Sequence, residues 1–119
     1  MPVTQFLHTA LNVTDLDRAE HFYGAVLGLT KVRRDLTFPG VWYQIGDHQI
    51  HLIVAPEVTS SGQHEKWGRN RHLALAIDNL DAIKALLTQQ GYSYQMSASG
   101  RPALFVKDPD GNIIELGQV

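Results

Sequence analysis

"RHLALAIDNLD", residues 71–81, has a near copy in "LHTALNVTDLD", residues 7–17, and the pairing of the two decides the fold. The offset is 64 residues; it sets His8 against His72, Ala10 against Ala74, Leu11 against Leu75, Val13 against Ile77 and Leu16 against Leu80. The same offset of 64 carries "IHL" (50–52) onto "IEL" (114–116) without a gap. A chain that repeats itself in this way is an internal duplication of one supersecondary unit.

The unit can be read outward from that match. "VTQFLHTALNV" (3–13) is β-branched and apolar, which predicts a strand, and it stops at "TDLD", where Thr14 or Asp15 can cap a helix. Apolar residues then recur at Leu16, Ala19, Phe22, Tyr23, Val26 and Leu27, an amphipathic stripe ended by Gly28. Three short strands are expected next, "LTKVRR", "GVWYQI" and "QIHLIVA", with "GDH" as the hairpin turn between the last two. The second half gives the same order. "RHLALAI" is a strand, "DNLDAIKALLTQQG" a helix with the stripe Leu80, Ile83, Leu86 and Leu87, and "YSYQM", "PALFVK" and "NIIELGQ" are strands, the last two joined by the turn "DPDG" (108–111). The expectation is an α+β fold of two tandem βαβββ modules in one domain over 1–119. Module 1 covers about 1–56, a polar linker "EVTSSGQHEKWGRN" covers 57–70, and module 2 covers 71–119.

Composition narrows the function classes. The chain has 119 residues, 44% of them hydrophobic, enough for a core without staples. Its formal net charge is −2 and its longest basic run is Arg33–Arg34, so the footprint of a nucleic-acid binder is missing. There is no cysteine, which excludes disulfides and thiolate metal sites. The start "MPVTQFLHTA" has no basic segment followed by a long apolar stretch, and no run reaches membrane-spanning length, so a soluble cytoplasmic protein is expected.

Side chains alternate faces along a strand, so parity sorts each one. Leu7, Leu11 and Val13 oppose His8, Ala10 and Asn12, while Leu73, Leu75 and Ile77 oppose His72, Ala74 and Ala76. Ile50, Leu52 and Val54 oppose His51, and Ile114 and Leu116 oppose Glu115. Each strand thus has a bulky apolar face and a second face that carries a histidine or a glutamate. His8, His51, His72 and Glu115 stand in repeat register, and three imidazoles with a carboxylate are ligand types for zinc, nickel, cobalt, manganese or iron(II). A lone strand histidine is more often a surface residue, but independent accidents would not share parity and register. His21, on the polar side of the first helix, His48 in a hairpin turn and His64 in the linker are read as surface residues. Arg69 and Arg71 are candidates to hold an anionic substrate group, and Trp42, Trp67 and Phe105 are candidate pocket walls; parity does not settle their facing.

The paired modules, with His8 near the start, "RHLALAIDNLDA" at mid-chain and "FVKDPDGNIIEL" near the end, resemble the vicinal oxygen chelate superfamily of glyoxalases, bleomycin-resistance proteins and extradiol dioxygenases. The resemblance covers nearly the whole chain, and "DPDGNIIEL" is its most specific segment. It implies a cupped eight-stranded mixed sheet holding one divalent metal ion, which a small substrate chelates through two adjacent oxygens. His8, His72 and Glu115 fall on the three common ligand positions, and His51 falls where glyoxalase I enzymes carry a fourth ligand, usually glutamate. Glu115 is then ligand and general base, and His51 ligand or second base. The histidine departs from the carboxylate pair that hemithioacetal isomerisation uses. The resemblance implies a homodimer and isomerase or lyase chemistry, with two alternatives: an iron(II) dioxygenase using His8, His72 and Glu115, or a non-catalytic drug- or metabolite-binding protein.

Overall fold

The computed structural model describes residues 2–59 and 64–119, which belong to two compact units, Met1–Val58 and Thr59–Val119. In the first unit β1 (His8–Val13) leads into the short helix α1 (Leu16–Glu20), followed by β2 (Thr30–Val32), β3 (Gly40–Ile45) and β4 (His48–Val54). The Asp15 carboxylate accepts the Arg18 amide N–H at 3.1 Å and so starts the helix. The strands form one sheet in the order β1-β4-β3-β2, with β1 parallel to β4 and the other pairs antiparallel. A parallel pair needs a crossover between its members, and the helical segment supplies it.

The second unit repeats the plan: β5 (Leu73–Ile77), α2 (Leu80–Gln89), β6 (Tyr94–Met96), β7 (Ala103–Lys107) and β8 (Ile113–Gln118), in the sheet order β5-β8-β7-β6. Asn79 caps α2 by accepting the Ala82 amide N–H at 3.0 Å, and Gly91 ends the turn beyond it at φ 83°. The duplication survives in the pairing itself. Ala10 lies opposite His51 and Ala74 opposite Glu115, so the 64-residue offset is also a register. The expected α+β architecture of tandem βαβββ modules is the one observed. Among the described residues no helix is long and apolar enough to cross a membrane.

Each core sits under the central strands. Ile50, Leu52, Ile114 and Leu116 are buried, whereas Leu11, Leu73, Leu75 and Ile77 on the edge strands are half-buried and Leu7 is exposed. Full burial of such a side chain is worth about 1.5–3 kcal/mol. The bulky-face reading therefore holds best for β4 and β8.

Four expectations need correction. The first strand begins at His8, not residue 3, and residues 2–7 are exposed. The first helix is α-helical only to Glu20; His21–Val26 form a π-helical turn in which the Leu27 N–H reaches the Phe22 carbonyl. The wider turn keeps Phe22, Tyr23 and Val26 buried, as an α-helical stripe would, so the apolar spacing alone does not separate the two helix types. His48 belongs to β4, paired with Ile45, because the turn consumes only Gly46 and Asp47; its ring stacks on Phe6 with centroids 5.0 Å apart. Within the expected linker, residues 60–63 lie outside the described residues, but Trp67–Arg69 form a folded 3-10 turn.

Candidate functional site

The two central strands carry one polar candidate each, His51 and Glu115. Directly opposed residues in neighbouring strands project from the same face, so the register shows which side chains share their surroundings. His51 has Ala10 on one side and Trp42 on the other, and Glu115 has Ala74 and Phe105. A small residue, Ala10 or Ala74, stands on the edge side, and an aromatic ring walls the opposite side. The structure thus brings Trp42 and Phe105, whose facing parity left open, beside the two candidates.

In the first unit three rings stack. His8 and His51 have centroids 3.9 Å apart at 13°, and Trp42 covers the His51 ring at 4.3 Å and 10°. Burial, then the charges of His8 and Arg34, lower the proton affinity of His51 and favour the neutral imidazole. Its tautomer follows from a relay of hydrogen bonds. The Gly46 carbonyl can only accept, so Gln44 donates to it through Nε2 at 2.8 Å; Gln44 Oε1 then accepts from Gln49 Nε2 at 2.8 Å. Gln49 Oε1 is left to accept from His51 Nε2 at 2.7 Å, so the lone pair of His51 resides on Nδ1.

In the second unit the pair is an imidazole beside a carboxylate. His72 lies one residue before β5 rather than within it; its Nδ1 donates to the Asn70 carbonyl at 2.8 Å, and Nε2 is 3.1 Å from Glu115 Oε1. The second oxygen of Glu115 accepts from Arg101 at 3.2 Å, and the carboxylate side chain is only 12% exposed. Phe105 meets the His72 ring edge-on with centroids 5.3 Å apart.

Among the described residues no three His, Cys, Asp or Glu side chains gather in one place; each unit brings two of the four candidates. The chemistry of each pair nevertheless fits a divalent ion. His72 is anchored through Nδ1, the arrangement that presents Nε2 to a metal, and His51 is neutral with a free Nδ1. Glu115 has one oxygen engaged by Arg101 and the other directed to His72.

A cavity of about 750 Å³ lies wholly within the second unit and is lined in part by Arg69 and Phe105. Arg71 is exposed and does not line it, and Trp42 belongs to the first unit. Sequence reasoning missed Arg101, although it has the parity of Phe105 and Ala103; its place in the loop "SASGR" hid it. It also missed Gln49 and Gln44, which are ordinary polar strand residues until their relay to His51 is seen.

Residues 5–116 match the pattern of the Glyoxalase/Bleomycin resistance protein/Dioxygenase superfamily. The chain belongs to this superfamily. Lactoylglutathione lyase of Salmonella typhimurium is 32% identical to it over 125 residues, covering 94% of this chain and 90% of that protein. Mitochondrial methylmalonyl-CoA epimerase of Mus musculus is 28% identical over 127 residues, covering 93% of this chain and 71% of that protein. A crystal structure of lactoylglutathione lyase from Agrobacterium tumefaciens has a TM-score of 0.70 at 25% identity and covers 98% of this chain and 95% of the other. The superfamily expected from "DPDGNIIEL" and the repeat is the one found.

Proposed function

We propose that the chain is a divalent-metal-dependent enzyme of the glyoxalase type that performs isomerase or lyase chemistry on a small substrate with two adjacent oxygens. His8, His51, His72 and Glu115 are the proposed ligands of one zinc, nickel, manganese, cobalt or iron(II) ion. The observation that carries this reading is the recurrence of a two-donor pair at one offset, with small residues beside it, a His51 ring hydrogen bond that leaves Nδ1 for a metal and a His72 ring held through Nδ1 with Nε2 beside Glu115. Relatives named as lyase and epimerase support an enzyme.

When bound, such an ion supplies Lewis-acid stabilisation of negative charge on the substrate oxygens. Glu115 is the proposed general base, because its carboxylate is mostly shielded from water and Arg101 holds one oxygen in place. His51 is the proposed second base through Nδ1, its proton affinity lowered by burial and then by the charges of His8 and Arg34. Arg69, Arg71, Trp42 and Phe105 are the proposed substrate contacts. Val3, Phe6, Leu7, Leu36 and Phe38 are exposed apolar side chains, which supports a homodimer as the working form.

The test is turnover of a small aldehyde adduct such as a glutathione hemithioacetal, before and after chelation and after reloading with each ion. Activity should vanish on chelation and return on reloading, and Glu115→Gln should lower kcat by about 10²–10⁴-fold. Turnover unaffected by chelation contradicts the metal. A strict need for iron(II) and oxygen, with an aromatic diol as substrate, replaces isomerisation by the dioxygenase alternative.

A further inference from the structure

The cavity of the second unit has a chemical character that the residues of the proposed metal site do not account for. Its lining includes Lys66, Arg69 and Arg101 against a single acid, Glu65, in a chain whose net charge is −2. Lys66 and Arg69 form no salt bridge among the described residues, so with Glu65 as the one acid the lining keeps a surplus of positive charge. Arg101 is fixed from two sides, by Glu115 Oε2 at 3.2 Å and by Ser99 Oγ at 3.1 Å. Trp67 and Phe105 add apolar surface. At about 750 Å³ the cavity is within the size range of small-molecule sites.

Its wall is built rather than incidental. Gln95 accepts the Trp67 amide N–H at 2.9 Å and donates to the Glu65 carbonyl at 2.9 Å, which ties the 3-10 turn to β6. Gly68 lies so close to Phe105 that an added Cβ would stand 2.5 Å from its Cζ, so the turn is pressed onto the aromatic ring. The turn therefore sets where Lys66 and Arg69 stand before any ligand arrives, which lowers the ordering cost of binding.

We infer that this cavity is a binding subsite for the oxyanion of a substrate, a carboxylate or a phosphate, whose apolar portion packs on Trp67 and Phe105. Lys66 and Arg69 attract the anion, and Arg101 links the subsite to Glu115. The inference rests on the reading of Glu115 as a site residue only for the identity of the ligand as substrate; anion binding itself needs no metal.

The experiment uses the whole chain in chelator, so that its result is independent of the proposed metal. Phenylacetate, phenyl phosphate and neutral phenylacetamide are titrated calorimetrically into the protein and its variants. Either anion should bind at least ~10-fold more tightly than the amide, and the tighter of the two identifies the oxyanion. Arg69→Gln and Lys66→Gln should each weaken anion binding by ~3-fold and together by ~10-fold, as exposed cations do, while Arg69→Lys should stay within ~2-fold. Circular dichroism checks that the variants keep the fold. Equal affinity for the three probes, or anion binding unchanged in the double variant, overturns the inference. Loss of turnover on chelation with anion binding intact would leave both readings standing, whereas turnover unaffected by chelation removes the metal reading alone.

Discussion

The two units of the molecule share a topology and a register, yet they treat the polar side chain on the central strand in opposite ways. In the first, His51 lies between His8 and Trp42 as the middle ring of a stack, uncharged and tied to a glutamine relay. In the second, Glu115 lies between an imidazole and a guanidinium. One duplicated frame has thus diverged into a stacked imidazole pair and an imidazole-carboxylate pair, and duplication preserved the positions rather than the chemistry. The hairpins diverge in parallel. β3 and β4 are joined by the two residues Gly46 and Asp47, while the turn between β7 and β8 is built on the buried Asp108.

The comparison breaks most completely if one member of either pair is removed. His8→Ala, His72→Ala and Glu115→Ala should each abolish stoichiometric metal, measured by elemental analysis, while His51→Ala should weaken binding less. A sharper version is His51→Glu, which gives both units a carboxylate at the same register; metal should be retained and hemithioacetal turnover should rise in a coupled absorbance assay.

The turns give the next largest effect. Asp108 accepts the amide N–H groups of Asp110 and Asn112 at 2.9 and 2.8 Å and the Asn112 side-chain N–H at 2.8 Å. Asp108→Ala leaves those donors without their acceptor in a buried turn and should cost about 3 kcal/mol in urea unfolding, whereas Asp47→Ala in the exposed turn should cost about 0.5 kcal/mol or less. Gln49→Leu removes the acceptor that fixes the His51 tautomer; metal affinity should fall by ~10-fold with stability nearly unchanged.

The smallest effect concerns Tyr43, the neighbour of Trp42 just as Val106 is the neighbour of Phe105. Its hydroxyl is buried without a hydrogen-bond partner among the described residues, and burial, with the Glu20 charge second, pushes its pKa up to about 12. The unfolded chain releases this proton near pH 10, roughly the value of a free phenol. Above that pH the folded state holds more protons than the unfolded state, so stability falls as pH rises toward 12. Tyr43→Phe makes the first unit resemble the second and should flatten that alkaline decline without loss of stability at neutral pH.

The architecture and the four polar positions were legible because strand parity and repeat register are local and periodic, and burial enforces both. Ile50 and Leu52 had to face the core, which left His51 on the other side. Three features were not legible. The π-helical turn at His21–Val26 buries Phe22, Tyr23 and Val26, which also share one face of an α-helix, so the apolar stripe does not distinguish the two. Arg101 reaches Glu115 from a loop, and the folded turn at Trp67–Arg69 exists through contacts with Gln95 and Phe105 that are distant in sequence. His48 was misplaced for a simpler reason: a turn boundary one residue off moves a side chain from loop to strand.

The proposal that His8, His51, His72 and Glu115 hold a divalent ion is tested most directly by metal content. The tag-free protein, the His8→Ala,His51→Ala variant and the His72→Ala variant are reloaded with each divalent ion, freed of excess and analysed for bound metal per chain. The account predicts about one ion per chain in the parent, as a single four-donor zinc-type site requires, and essentially none in either variant. Retention of stoichiometric metal by either variant contradicts it, because one pair would then suffice without the other.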